Sequence, residues 1–105
     1  MGKLLYGDPR REVDIDDRTL AHLQIVIAAK LRRREGFFLT WRDDGAVGDG
    51  RSSVWLHHSI PLYFRFSSAQ RHAVNREWLD ELSKAANHAG GLHLTEEPGR
   101  GSAAR

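Results

Sequence analysis

Six histidines, three aspartates in a glycine-rich stretch and a pair of serines are the residues with which this chain could do chemistry. Hydrolysis would draw on Ser52 or Ser53, His57 and Asp49. It needs a hydroxyl, a base in hydrogen-bond reach and a third group that orients the base. Neither serine sits in the strained strand–turn–helix elbow that exposes such a nucleophile, so the reading is weak. Asp43, Asp44 and Asp49 could hold a cation, but they lack the alternating ligand positions and distal glutamate of a calcium loop. The run Gly45-Ala46-Val47-Gly48-Asp49-Gly50-Arg51-Ser52 has neither the Gly-Lys-Ser/Thr end of a phosphate loop nor the helix that follows a dinucleotide fingerprint. A strand connection accounts for it. His57 and His58 are adjacent, so on a strand they face opposite sides and cannot easily share an ion. His22, His72, His88 and His93 show no ligand spacing. The chain has no cysteine, which excludes disulfides, thiolate nucleophiles and Cys-ligated zinc. No metal or cofactor is implied, and the balance leans against an enzyme.

The elements that must position these residues are legible from periodicity and turn residues. Residues 3–6 and 11–15 are short β segments around Gly7-Asp8-Pro9, which reads as a hairpin. Asp16 or Asp17 caps a helix running to about Arg34, with Leu20, Leu23, Ile27 and Leu31 as its apolar stripe. Ile25, Val26 and Ala29 fall off that stripe, so the helix is apolar on a second side. Phe37 to Arg42, Ser53 to His57 and Leu62 to Ser67 read as three strands, and their short second connection favours an antiparallel meander. A second helix spans about Asn75 to His88, carried by Trp78, Leu82 and Ala85 or Ala86, and stopped by Gly90-Gly91. Leu92 to Thr95 is a final edge strand. Residues 96–105 have no apolar pattern and read as a disordered tail. The expected fold is α+β, ββ-α-βββ-α-β, one antiparallel sheet with both helices on one face. At 105 residues it is a single domain over 1–95. No long apolar run suggests a signal peptide or a membrane span, so the chain reads as cytoplasmic with no membrane partner.

Net charge is only +2, but the charges segregate. Residues 51–76 hold no Asp or Glu, yet carry four arginines and three histidines. Lys30, Arg32, Arg33 and Arg34 form a second basic cluster. Such segregation makes a positive face without a large net charge. Alternation assigns the apolar sets of the meander to the helices and leaves Phe38, Thr40, Arg42, Trp55, His57, Tyr63 and Arg65 on the other face. Aromatic rings with basic neighbours on a sheet are how several domains stack single-stranded bases and hold phosphates. The same residue types are enriched at homodimer interfaces, which stays open as the alternative. The basic helix end has its own plain explanation in the helix dipole, although four cations among five residues exceed what capping needs. The expected partners are thus DNA or RNA, or a second copy of the chain. On the nucleic-acid reading, phosphates meet Lys30, Arg32, Arg33, Arg42, Arg51 and Arg65, and bases stack on Trp55 and Tyr63, with His57 beside them.

Several runs carry a family resemblance: Asp16-Asp17-Arg18-Thr19-Leu20-Ala21-His22-Leu23-Gln24 with Lys30-Leu31-Arg32-Arg33, Gly48 to His57, Ser59-Ile60-Pro61-Leu62, and Asn75-Arg76 with Trp78. Together they resemble a small actinobacterial domain family of unknown function, over about Met1 to Pro98. Its members are often labelled ATP-dependent DNA ligases, and that label fails on residues. Nucleotidyl transfer of that kind needs Lys-x-Asp-Gly. The three lysines here are followed by Leu4-Leu5-Tyr6, Leu31-Arg32-Arg33 and Ala85-Ala86-Asn87. Two positions depart from the family pattern: His58 stands where a proline is usual, and Arg34 where a glycine is usual.

Overall fold

The computed structural model describes residues 1–7, 9–42 and 50–98. Its element order is β1 (Gly2–Tyr6), β2 (Arg11–Ile15), α1 (Asp17–Arg32), β3 (Phe37–Arg42), β4 (Arg51–Leu56), β5 (Leu62–Arg65), α2 (Arg76–Ala86) and β6 (Leu92–His93). That is the α+β order expected from the sequence. The Gly45–Asp49 part of the glycine-rich run and the three aspartates considered for a cation lie outside the described residues.

The strand pairing differs from a single meander. The six strands form two three-stranded sheets, β2-β1-β5 and β4-β3-β6. The short link after β4 does not close a hairpin. Pro61 has no N–H to give a ladder and restricts Ile60 before it. The chain instead crosses to β1, where Leu4 faces Phe64 and Tyr6 faces Leu62. The apolar alternation of β5 is thus satisfied by a different neighbour from the expected one. The sheets are tied where the Tyr6 hydroxyl donates to the Trp55 carbonyl on β4. β6 is the expected edge strand, but it runs parallel to β3, pairing Leu39 with Leu92 and Thr40 with His93. Gly91 permits this approach: its φ is +86°, and a Cβ there would lie 2.5 Å from the Phe38 carbonyl oxygen.

α1 lies on β1, α2 lies on β3 and β6, and the helices touch each other. Leu4, Leu20, Leu23, Ile27, Leu39, Leu56, Trp78, Leu82 and Leu92 therefore share one core. Both helices begin on side-chain caps. Asp16 accepts from the Thr19 N–H, and Asn75 accepts from the Trp78 N–H. α1 buries more than its predicted stripe, adding His22, Val26 and Lys30. Val26, one of the off-stripe residues, belongs to the core, whereas Ile25 and Ala29 are exposed.

α1 ends in a Schellman motif. The Glu35 N–H donates to the Lys30 carbonyl and the Arg34 N–H to the Leu31 carbonyl. Arg34 occupies the left-handed position that the motif requires, with φ +59°. Glycine would adopt that conformation without the cost an L side chain bears. The chain beyond β6 also returns to the body. Arg18 Nε and Nη2 donate to the two carboxylate oxygens of Glu97 at 2.7 and 2.8 Å, and Asn75 Nδ2 donates to Glu97 at 2.8 Å. Sequence patterning starts the tail at Glu96, but this clamp reaches into it. Residues 99–105 lie outside the described residues.

Candidate nucleic-acid interface

The outer face of β3 and β4 assembles part of the predicted set. Cross-strand register places Phe38 opposite Trp55, Thr40 opposite Ser53 and Arg42 opposite Arg51. Parallel pairing adds His93 beside Thr40. Among the described residues this face carries no acid. Phe38 and Trp55 are 44% and 45% exposed, and their rings meet edge-on with centroids 5.1 Å apart. Trp55 lies against Gly36, where a Cβ would come within 2.5 Å of the indole. The missing side chain lets main chain back the ring on one side while the other stays open. A hollow of about 260 Å³ borders the pair, lined among others by Lys30, Gly36, Asn87 and Gly91.

Thr40 was expected on the open face, but it is buried. It sits on the central strand between β4 and β6, and its hydroxyl pairs with that of Ser53 at 2.6 Å. At the other end of the face, Arg42 and Arg51 are both exposed. Like charges directly opposed across strands destabilise a sheet unless something of opposite charge relieves them.

Tyr63 and Arg65 do not join this face. They stand on the other sheet, where Leu5 faces Tyr63 and Lys3 faces Arg65. On β2, Glu12 and Asp14 flank the same strand, and Lys3 bonds to Asp14 at 2.7 Å. Tyr63 is 52% exposed, with the Arg10 guanidinium 6.0 Å from its ring centre. The acids beside Lys3 make this second patch electrostatically mixed.

The basic helix end is also divided. Lys30 is only 8% exposed, and its ammonium donates to Asn87 Oδ1 at 2.9 Å and pairs with Glu35 at 3.0 Å. Arg33 pairs with the same carboxylate at 3.4 Å. The Lys30 bond, with help from Arg33, holds the Glu35 carboxyl below the usual glutamate range. Lys30 and Arg33 are therefore engaged in closing the helix, which the spacing of cations could not reveal. Arg32 is exposed.

His57 lies past the end of β4, not on the sheet. Its Nδ1 accepts from the Ser59 N–H at 3.2 Å and pairs with the Ser59 hydroxyl at 2.7 Å, shaping the turn. The His57 and His58 rings lie against each other, 4.2 Å between centroids, because the turn brings together what a strand would separate. Ser53 and His57 thus each bond to a different hydroxyl partner, Thr40 and Ser59, and not to each other. Among the described residues no three His, Asp or Glu side chains gather as metal ligands. No helix among them is long and apolar enough to cross a membrane.

One residue outside the predicted set is central to the structure. The buried His22 accepts the Asn75 N–H at Nε2, 2.9 Å away, and bonds the Arg18 carbonyl through Nδ1 at 2.8 Å. The proton must then sit on Nδ1. The ring also lies 4.7 Å from that of Trp78. His22 joins both helices; it stands off the predicted stripe of α1, in line with Val26 four residues on, which was the one local sign that this side of the helix is buried.

The fold and this face define a small α+β domain with an aromatic and basic sheet surface. The chain belongs to the family described as Domain of unknown function (DUF7882), whose model matches residues 1–97. No curated protein and no solved structure matches it.

Proposed function

We propose that this domain binds nucleic acid through the outer face of the β4-β3-β6 sheet. The observation that carries the reading is the direct opposition of Arg42 and Arg51 on the same face as the exposed Phe38–Trp55 pair. Two opposed guanidinium groups fit a phosphate, and exposed rings one strand-length away fit a base. Asp43, Asp44 and Asp49 lie between the two arginines in sequence, outside the described residues. Tyr63, Arg65 and Arg32 are secondary contacts at most on this account, and Lys30, Arg33 and His57 serve the fold.

The test is size-exclusion chromatography with light scattering, run with a mixed pool of single- and double-stranded DNA at low salt and again at high salt. A DNA-shifted peak that returns at high salt supports the proposal, because phosphate contacts release counterions. A dimer that ignores DNA would refute it and assign the aromatic face to self-association.

A further inference from the structure

Resting on that reading, we infer that the face takes a short single-stranded segment, no longer than about four nucleotides, without reading its bases. The length follows from the strand. Phe38 and Arg42 are four residues apart on β3, about 13 Å at the rise of an extended chain. A stacked strand advances about 3.4 Å per nucleotide, so that span holds about four at most and fewer when extended.

The preference for single strands follows from the shape. The rings of Phe38 and Trp55 are exposed, and the Trp55 indole is backed by Gly36, while Gly91 lies close against the Phe38 main chain and Cβ. They present their rings from a sheet, and among the described residues no helix projects from that face to enter a groove. A duplex keeps its base faces stacked on each other, and taking one out is costly. A single strand offers those faces at once.

The indifference to sequence follows from the middle of the face. The hydroxyls of Thr40 and Ser53 bond each other, and Thr40 is buried. Among the described residues, the exposed polar groups between the aromatic pair and the arginine pair are Ser53, whose hydroxyl is paired with Thr40, and the His93 ring, too few to tell four bases apart by their edges. Stacking itself is tolerant, since every base has a π-face.

The experiment is fluorescence anisotropy with labelled oligothymidylate and oligodeoxyadenylate of increasing length, and with a blunt hairpin duplex, over a salt series. Expected affinities stop rising at about four nucleotides per bound protein. They differ little between the two bases, and exceed those for the duplex by about tenfold or more. With two phosphates engaged, log K falls with log salt at a slope of about −1.4, and Arg42→Gln brings it to about −0.7. Trp55→Ala loses about tenfold or more, while Trp55→Phe, which keeps a ring, retains most of the binding. Equal or tighter binding of the duplex overturns the single-strand inference and leaves the nucleic-acid reading standing. Strong discrimination between the two bases overturns the sequence-independence. Failure to bind any of these at low salt removes the functional reading itself.

Discussion

Replacing Arg34 by glycine should make this protein more stable, although Arg34 lies in a basic cluster that sequence reading singled out. Its φ of +59° places an L residue in the left-handed region, at a cost of roughly 1–2 kcal/mol. Glycine removes that cost and gives up about 0.4–1 kcal/mol through the greater freedom of its unfolded chain. The Schellman bonds from Glu35 to Lys30 and from Arg34 to Leu31 are made by backbone atoms, so they survive the change. The net gain is about 0.5–1 kcal/mol, or roughly 2–8 °C in Tm for a domain of this size. Urea unfolding should show a higher midpoint at unchanged slope. Arg34→Ala separates conformation from charge. It removes the guanidinium but keeps the left-handed strain, so it should gain nothing. An Arg34→Gly variant no more stable than the parent, or an Arg34→Ala variant equally stabilised, would refute the argument.

Three further outcomes follow from the same contacts. His22→Ala should lose about 3 kcal/mol by urea denaturation, because the Asn75 N–H and Arg18 carbonyl lose their shared partner and Trp78 loses its neighbour; a loss under about 1 kcal/mol would mean the ring is dispensable. Lys30→Met should change stability by less than about 1 kcal/mol, since its partners Glu35 and Asn87 are exposed enough to turn to water and the stem still covers Phe37. The same variant should lower DNA affinity less than Arg42→Gln does, and a larger loss would restore Lys30 as a phosphate contact. Asp17 accepts backbone bonds from Ser67 and Ser68 and the Ser67 hydroxyl, and the Ser67 amide above all holds its carboxyl below the usual aspartate range. A depressed folded value means the stabilisation is complete above the unfolded value and is lost as pH falls through the folded one. The Ser67 amide resonance should therefore move only below about pH 4, and a shift centred higher would contradict that bond.

The two helices and six strands were legible because each follows its own local rule: a cap at Asp16 or Asp17, stripes through Leu20–Leu23–Ile27 and Trp78–Leu82 with Ala85 or Ala86, the Gly90-Gly91 stop, and alternation in β3 to β5. Which strand meets which was not. Leu62, Phe64 and Phe66 show an apolar face, but nothing local to them distinguishes β4 from β1 as the partner, and a short link usually means a hairpin. That single error moved Tyr63 and Arg65 onto a face they do not share with Trp55. The burial of Lys30 was hidden for a similar reason. Its partners, Glu35 and Asn87, come from a helix end and from a second helix, and only the packing of α1 on α2 brings Asn87 near. The opposed arginines were half legible: Arg42 stood in an expected strand, but Arg51 was read in the connection before Ser53, and β4 in fact begins at Arg51.

The most direct test of the account is a heteronuclear NMR titration of the labelled protein with a short oligothymidylate at low salt. The shifts should concentrate on the Trp55 indole, the Phe38 amide and the Arg42 and Arg51 side chains, and leave Tyr63 and Arg65 nearly unmoved. Shifts centred on Tyr63 and Arg65, or none at all, would contradict the assignment of binding to the outer face of β3 and β4.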